Sequence, residues 1–309
     1  MAKLVRKFSA LAGAAIAISL IGVVPATAQE EAPAAYEIAP VAEGLDHPWS
    51  LTFMPDGSLL IVELSGQIRV MRDGVLADEP VAGVPEVYFE SQGGLFDVEL
   101  DPDFAENSLV YLSYAHGTPK SNWTRVARAR FDGEALTDLA VIFDATPAKD
   151  TPVHYGGRIA FLPDETMLVT IGDGFDYREE AQNLGSHLGK IVRIGRDGRA
   201  LADNPFAGRE GALPEIWSYG HRNQQGLVYD AASGRVYEHE HGAQGGDEIN
   251  VIEPGKNYGW PVITRGIDYS GARISPFTEY EGMEQPIVDW TPSIAPAGMT
   301  IYRGDAFPE

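Results

Sequence analysis

Apolar and polar residues alternate with a period of two in four stretches of the chain, Leu51–Glu63, Val98–Ala115, Ile159–Asp173 and Leu227–His239. Each stretch is broken once by a corner rich in Pro, Asp and Gly. Successive side chains of a strand point to opposite faces, so a period of two is the strand signature. The corners supply turn geometry, and each stretch predicts a hairpin. A fifth begins at Met299 and stops with the chain. Three of the hairpins are followed by a further strand-like element, Gln67–Gly74, Arg125–Gly133 and Lys190–Gly198, each ending in the turn signal Asp-Gly. The unit is then two hairpins, a four-stranded sheet. Units start at residues 51, 98, 159, 227 and 299; the shortest spacing, 47 residues, matches a propeller blade, and the longer ones add loops. No segment carries a helical period beyond about three turns. The pattern predicts an all-β fold, a β-propeller of four-stranded antiparallel sheets. A β-sandwich is the alternative, but it would not require the unit to recur. The fifth unit is cut after its first strand, which predicts a truncated last blade.

The first residues break this pattern. Lys3, Arg6 and Lys7 precede an apolar run from Leu11 to Val24, then Pro25-Ala26-Thr27-Ala28-Gln29, an A-x-A-type cleavage site. That layout predicts a signal peptide over residues 1–28, a flexible mature N-terminus over 29–39 and the propeller domain over 40–309. The other reading is an N-terminal membrane anchor, but the run is shorter than the roughly 20 residues a span needs. No other stretch is apolar enough to cross a membrane. The expected location is the periplasm or the outside of the cell.

Composition narrows the chemistry. Gly and Pro, 34 and 21 of 309 residues, suit a turn-rich fold. With no cysteine, a disulfide scaffold, a thiolate metal site and a cysteine nucleophile are excluded. Hydrophobic residues at 44% are enough to fill a core. The net charge of −22 becomes −25 once Lys3, Arg6 and Lys7 leave with the leader, and such an anion repels nucleic acid. P-loop, H-E-x-x-H and G-x-S-x-G motifs are absent.

Three loops are left. In the first, His154 and the glycines after it precede the strand at Ile159, and Asp173 ends the paired strand. A histidine there can take a proton, and a carboxylate can orient it. The competing readings, a structural histidine and a plain turn cap, are favoured on spacing alone. In the second, Tyr219–Leu227, Arg222 and Asn223 offer directed donors for a carbonyl or carboxylate; a loop held by its own hydrogen bonds is an equal reading. His221 there reads as a structural neighbour. The third, His239–Asn250 followed by Gly255–Pro261, combines glycine-rich backbone with Asp and Glu, which are hard ligands suited to Ca²⁺. His239 and His241 raise zinc as an alternative, but no third ligand is evident.

Taken in order, Gly44–Trp49, Gln92–Leu95, Thr170–Asp173, Gly220–Leu227, Asp247–Asn250 and Asn257–Pro261 resemble the soluble PQQ-dependent sugar dehydrogenases, the glucose/sorbosone dehydrogenase family and especially its aldose sugar dehydrogenase branch. The resemblance covers about residues 40–309. It implies a six-bladed propeller that binds pyrroloquinoline quinone (PQQ) over its central face with Ca²⁺, and oxidises aldose sugars at C1 to lactones. By the same resemblance His154 is the base, Asp173 its orienting partner, and Arg222 and Asn223 the pair that meets the quinone. Gln225 and Gln92 are cofactor- or substrate-side contacts, and Ser293 is the polar contact of a cofactor-flanking loop, Trp290–Pro296. Gly242 and Ala243 hold the cofactor-bound Ca²⁺ through backbone carbonyls, and Glu248 and Tyr258 a second, structural Ca²⁺. The family's basic residues for the cofactor carboxylates would fall after Glu309. The implied partners are an aldose and an external electron acceptor, with no nucleic acid and no membrane span after leader removal. Two other functions remain open, a Ca²⁺-dependent propeller lactonase or hydrolase and a non-catalytic binding propeller. A binder has no use for His154, Asp173 and Arg222 together.

Overall fold

The computed structural model describes residues 38–307. The expected signal peptide and the first part of the expected flexible segment, through residue 37, lie outside them. Each of the first four hairpins is the inner pair of a four-stranded antiparallel sheet whose strands follow chain order. The first sheet comprises β1 (Pro48–Phe53), β2 (Leu59–Glu63), β3 (Gln67–Arg72) and β4 (Val75–Leu76). The second comprises β5 (Leu95–Leu100), β6 (Leu109–Thr118), β7 (Ser121–Phe131) and β8 (Leu136–Asp144). The third comprises β9 (Gly156–Phe161), β10 (Thr166–Ile171), β11 (Lys190–Gly195) and β12 (Ile216–Tyr219), and the fourth β13 (Gln224–Asp230), β14 (Arg235–Glu240), β15 (Asp247–Ile252) and β16 (Val288–Trp290). The helical elements described are a single turn at Phe104–Asn107 and a 3-10 turn at Arg178–Gln182. Among the described residues no helix is long and apolar enough to cross a membrane.

The sheets stack face to face, and alternation within a strand shows it. On β10, Met167, Val169 and Ile171 pack with Tyr111 and Val126 of the second sheet, whereas Leu168 packs with Leu227 and Val236 of the fourth. On β6, Tyr111 turns to the third sheet while Val110 and Leu112 meet Leu60 and Val62 of the first. Middle blades are buried on both faces, so every residue of β10 is buried, Thr166 and Thr170 included. This is a β-propeller, with the core lying between blades. Ile191→Val at the junction of the third and fourth sheets is expected to cost about 0.5–1.5 kcal/mol, read by denaturant unfolding.

The inner strands β1, β5, β9 and β13 pack side by side, and each hairpin loses register near the start of its inner strand. Bulges re-aim side chains. Here they fall at Trp49, Phe96, Gly157–Arg158 and Gln225, at the same end of every sheet. The expected first strand of a fifth unit, from Met299, is not found among the described residues. Residues 291–307 form no strand among the described residues; β16 already fills the fourth position of the last sheet, and a lone segment without a ladder partner cannot be a strand. Instead, Gly298 donates its N–H to the Gln225 carbonyl (3.1 Å).

Candidate functional site

The bulged ends carry the chemistry. His154 sits just before β9 with a left-handed backbone (φ 53°), and Gly156 and Gly157 follow it at φ 67° and 100°. A Cβ on Gly157 would lie 2.6 Å from the Phe96 ring, and one on Gly156 2.7 Å from the Thr170 carbonyl oxygen. Only glycine lets this loop close over the end of β10. There the buried His154 ring places Nδ1 2.7 Å from Asp173 Oδ1. Asp173 is fully buried and accepts also from Phe175 N (2.8 Å) and Trp260 Nε1 (2.7 Å). With the carboxylate as acceptor, Nδ1 carries the proton and Nε2 keeps its lone pair; Nε2 makes no hydrogen bond among the described residues. Burial lowers the pKa of His154, Arg222 and Lys149 add to that, and Asp173 opposes it. The imidazole is therefore neutral at neutral pH.

Gln92 Oε1 accepts from His154 N (2.8 Å) and fixes the loop. Gln92, Asn223 and Gln225 share a cavity of about 240 Å³ with Trp49 and Tyr155. Gln225 Nε2 donates to Asn223 Oδ1 (3.1 Å). Arg222 borders a second cavity, about 190 Å³, with Phe175, Ala243, Trp260 and Tyr269. Its backbone carbonyl accepts from Asp173 N (2.8 Å) and its guanidinium lies 5.3 Å from the Trp260 ring centroid. Nη1 donates to the carbonyls of His241 (2.9 Å) and Gly242, and Nε is buried without a partner. The base, Arg222 and the two cavities thus adjoin. His154 meets the edge of Phe175 (5.2 Å between centroids), which stacks on Tyr269 (6.2 Å).

The third loop is shorter than its sequence suggests, because Asp247–Ile252 is strand β15. Asp247 joins its two flanks: Oδ1 accepts from Gly242 N (2.9 Å), and Oδ2 from Ser293 Oγ (2.6 Å), Ile294 N and Ala295 N. The Ser293 hydroxyl is turned to Asp247. Ala243 borders the Arg222 cavity. His239 and His241 turn Nε2 to the carbonyls of Gly298 and Pro296 (3.0 and 2.7 Å), away from a shared zinc.

The β14–β15 register pairs Glu240 with Glu248 and Glu238 with Asn250, so these four side chains lie on one face. His221, Glu238 and Glu240 bring ligand atoms within 4.8 Å of one another, all buried. Burial raises the pKa of Glu238 and Glu240 well above the ordinary carboxylate value, with neighbouring carboxylates adding, and burial raises Glu248 to about 7. Gln224 Oε1, Glu238 Oε1 and Asn250 Oδ1 are buried without a donor. Orphaned oxygens beside crowded carboxylates fit a hard divalent cation. Tyr258 reaches this cluster through its ring, stacked on His221 (4.8 Å); its hydroxyl donates to Val251 O (2.7 Å) and accepts from Glu253 N (2.8 Å). Trp260, Phe175, Glu238 and Glu240 are the site residues that sequence reasoning missed. Trp260 lay inside the quoted Asn257–Pro261 segment and the glutamates beside His239, but nothing local distinguished them from core and surface residues.

Residues 45–309 match the glucose/sorbosone dehydrogenase family. The aldose sugar dehydrogenase of Escherichia coli (strain K12) is 40% identical over 285 residues, which cover 90% of this chain and 76% of that protein. The crystal structure of a glucose dehydrogenase aligns with a TM-score of 0.84 at 42% identity, over 87% of this chain and 80% of the other. The PQQ-bound aldose sugar dehydrogenase of Streptomyces coelicolor aligns with a TM-score of 0.70 at 32% identity, over 84% and 73% of the two chains. With its matched region spanning every blade described above, the chain belongs to the glucose/sorbosone dehydrogenase family.

Proposed function

We propose that this protein is a periplasmic quinoprotein that oxidises aldose sugars at C1 to lactones, using PQQ and Ca²⁺. The observation that carries the reading is the buried His154–Asp173 dyad, its imidazole neutral, one backbone hydrogen bond away from Arg222. Arg222 and Asn223 would hold the quinone, with Gln225 and Ser293 at its margins; the buried, unpaired Arg222 Nε suits an anionic ligand. The carbonyls of Gly242 and Ala243 would hold its Ca²⁺, and Glu248 with the Tyr258 segment a second, structural ion. When bound, PQQ supplies the hydride acceptor and Ca²⁺ a Lewis acid that polarises it.

The chain's own residues do the rest. His154 Nε2 takes the proton of the C1 hydroxyl, while Asp173 holds Nδ1–H and stabilises the imidazolium that forms. Trp260 Nε1 and Phe175 N keep the carboxylate aimed. Gln92 holds the His154 backbone and lines the cavity beside it. An external acceptor then removes the two electrons. Six blades are part of this reading. They are supported by the apolar residues left exposed at the two ends of the described stack, Leu51 and Phe53 on the first sheet and Val288 on the fourth. The leader-like pattern of residues 1–28 supports export.

The test is aldose-dependent dye reduction by the full chain after addition of PQQ and Ca²⁺. Reduction with one or more aldoses, together with a shift of the quinone absorbance, is expected. Neither signal with any aldose overturns the reading.

A further inference from the structure

Behind the dyad lies a lysine that the proposed mechanism does not use. Lys149 is 2% exposed and forms no ion pair among the described residues. Its Nζ donates to Asn122 Oδ1 (3.0 Å) and to the Thr151 carbonyl (2.5 Å), and lies 3.4 Å from the centroid of the Tyr155 ring. Tyr155 donates its hydroxyl to the same Asn122 oxygen (2.6 Å). These contacts bracket His154 on both sides in sequence. The lysine stem reaches the other half of the dyad. A Cβ on Gly174, next to Asp173, would lie 2.7 Å from Lys149 Cδ, and Thr151 Oγ1 donates to the Gly174 carbonyl (2.7 Å). One side chain thus ties the approach to His154, the residue after it and the Asp173 turn to strand β7.

An ammonium buried this deeply without a carboxylate contact needs a reason. A leucine or methionine would fill the same space, and Asn122 and Tyr155 could bond each other without it. The groups that face it are Asp173 and Asp150, whose charges favour its protonation; burial outweighs them and pulls its pKa down to about 7. His154, Arg222 and Tyr155, whose phenol burial pushes up, are the other charged or titratable groups close to the lysine and the dyad.

We propose that Lys149 is a positioning residue of the His154–Asp173 dyad, clamping the His154 loop to the Asp173 turn and presenting a buried cation to the rear of both. The proposal rests on the reading of His154 as the base. A cation there disfavours a second positive charge on His154, so it helps to keep the imidazole unprotonated in the resting protein.

The test is an NMR titration of the histidine side chains in the full chain without cofactor, with the His154 signal identified by its loss in His154→Ala. Lys149→Gln removes the charge while keeping a donor, Lys149→Met removes both, and Lys149→Arg keeps the charge. The midpoint of His154 is expected to rise by about one pH unit in the Gln and Met variants and to stay near the parent value in the Arg variant. With PQQ, Ca²⁺ and an aldose, kcat is expected to fall about tenfold in Lys149→Met with KM within twofold, since the dyad and not the sugar contact is disturbed. Circular dichroism establishes folding first, and if Met does not fold, Gln carries the same comparison. An unmoved His154 midpoint in a folded charge-free variant overturns the proposal. The titration needs neither sugar nor quinone, so its failure is distinct from failure of the aldose assay.

Discussion

Replacing His154 by alanine is expected to lower kcat for aldose oxidation by about 10²–10⁴-fold, the usual contribution of a positioned general base, with KM little changed. The size follows from the geometry. His154 Nδ1 is committed to Asp173 at 2.7 Å, so Nε2 is the ring's sole open position; His241, which lines the Gln92 cavity, has its own Nε2 turned to the Pro296 carbonyl (2.7 Å). Lys149 is a cation until about pH 7 and is tied to Asn122 and Thr151. The pH dependence carries its own sign. The active form is the unprotonated ring, and burial places its pKa below the ordinary histidine value of 6.5. The rate should therefore hold as pH falls through 6.5 and decline only below it. A dye-reduction profile whose acid limb lies at or above 6.5 would contradict the buried dyad, and a His154→Ala variant with full activity would remove the base altogether.

The inner hairpins were readable because their turns are local. Pro-Asp corners in the first three hairpins, an Asp-to-Gly corner (Asp230–Gly234) in the fourth and a period of two fix β1–β2, β5–β6, β9–β10 and β13–β14 within a few residues. The outer strands were less legible. β4, β12 and β16 are two to four residues long, too short for any period to register. β15 was hidden for another reason: its polar residues, Asp247, Glu248 and Asn250, face a buried site rather than solvent, so it reads as a ligand loop. The segment at Met299 shows the opposite error. It has strand composition, but a strand is a relation between two segments, and its partner is not among the described residues.

The site divides in the same way. His154, Asp173, Arg222 and Asn223 stand beside glycines at strand ends, where a side chain that does not pack is conspicuous. What tunes them is remote in sequence. Trp260 reaches Asp173 across 87 positions, and Lys149 reaches the Asp173 turn from a segment that reads as an ordinary connection after β8. Only the register of β14 against β15 puts Glu238, Glu240, Glu248 and Asn250 on one face, because no single-chain spacing relates residues on two strands.

That face yields the second large effect. Addition of Ca²⁺ at about 100 times its Kd is expected to stabilise the protein by about 2.7 kcal/mol, a rise in Tm of roughly 4–5 °C for a chain of this size, and chelation should reverse it. The cause is the cluster itself. Glu238 and Glu240 are buried and Glu248 partly so; burial favours the protonation of all three, and neighbouring glutamates add to it at Glu238 and Glu240, while three oxygens of the cluster lack donors. A dication supplies what all five residues lack. Mg²⁺ should do less, since it gives up water reluctantly and demands stricter geometry. Glu238→Gln separates this account from simple packing. It keeps an oxygen for Asn250 Nδ2, which Glu238 Oε2 now accepts at 3.3 Å, and removes one charge. In chelator the variant should match or exceed the parent in Tm, because an amide carries no cost of burying an ionisable carboxyl among like neighbours; in Ca²⁺ it should lose most of the increment, because a ligand charge is gone. Calorimetry with and without the ion reads both signs. A variant equally destabilised in the two conditions would make the cluster a hydrogen-bonded core element, and a parent Tm indifferent to Ca²⁺ would remove the ion from the structure.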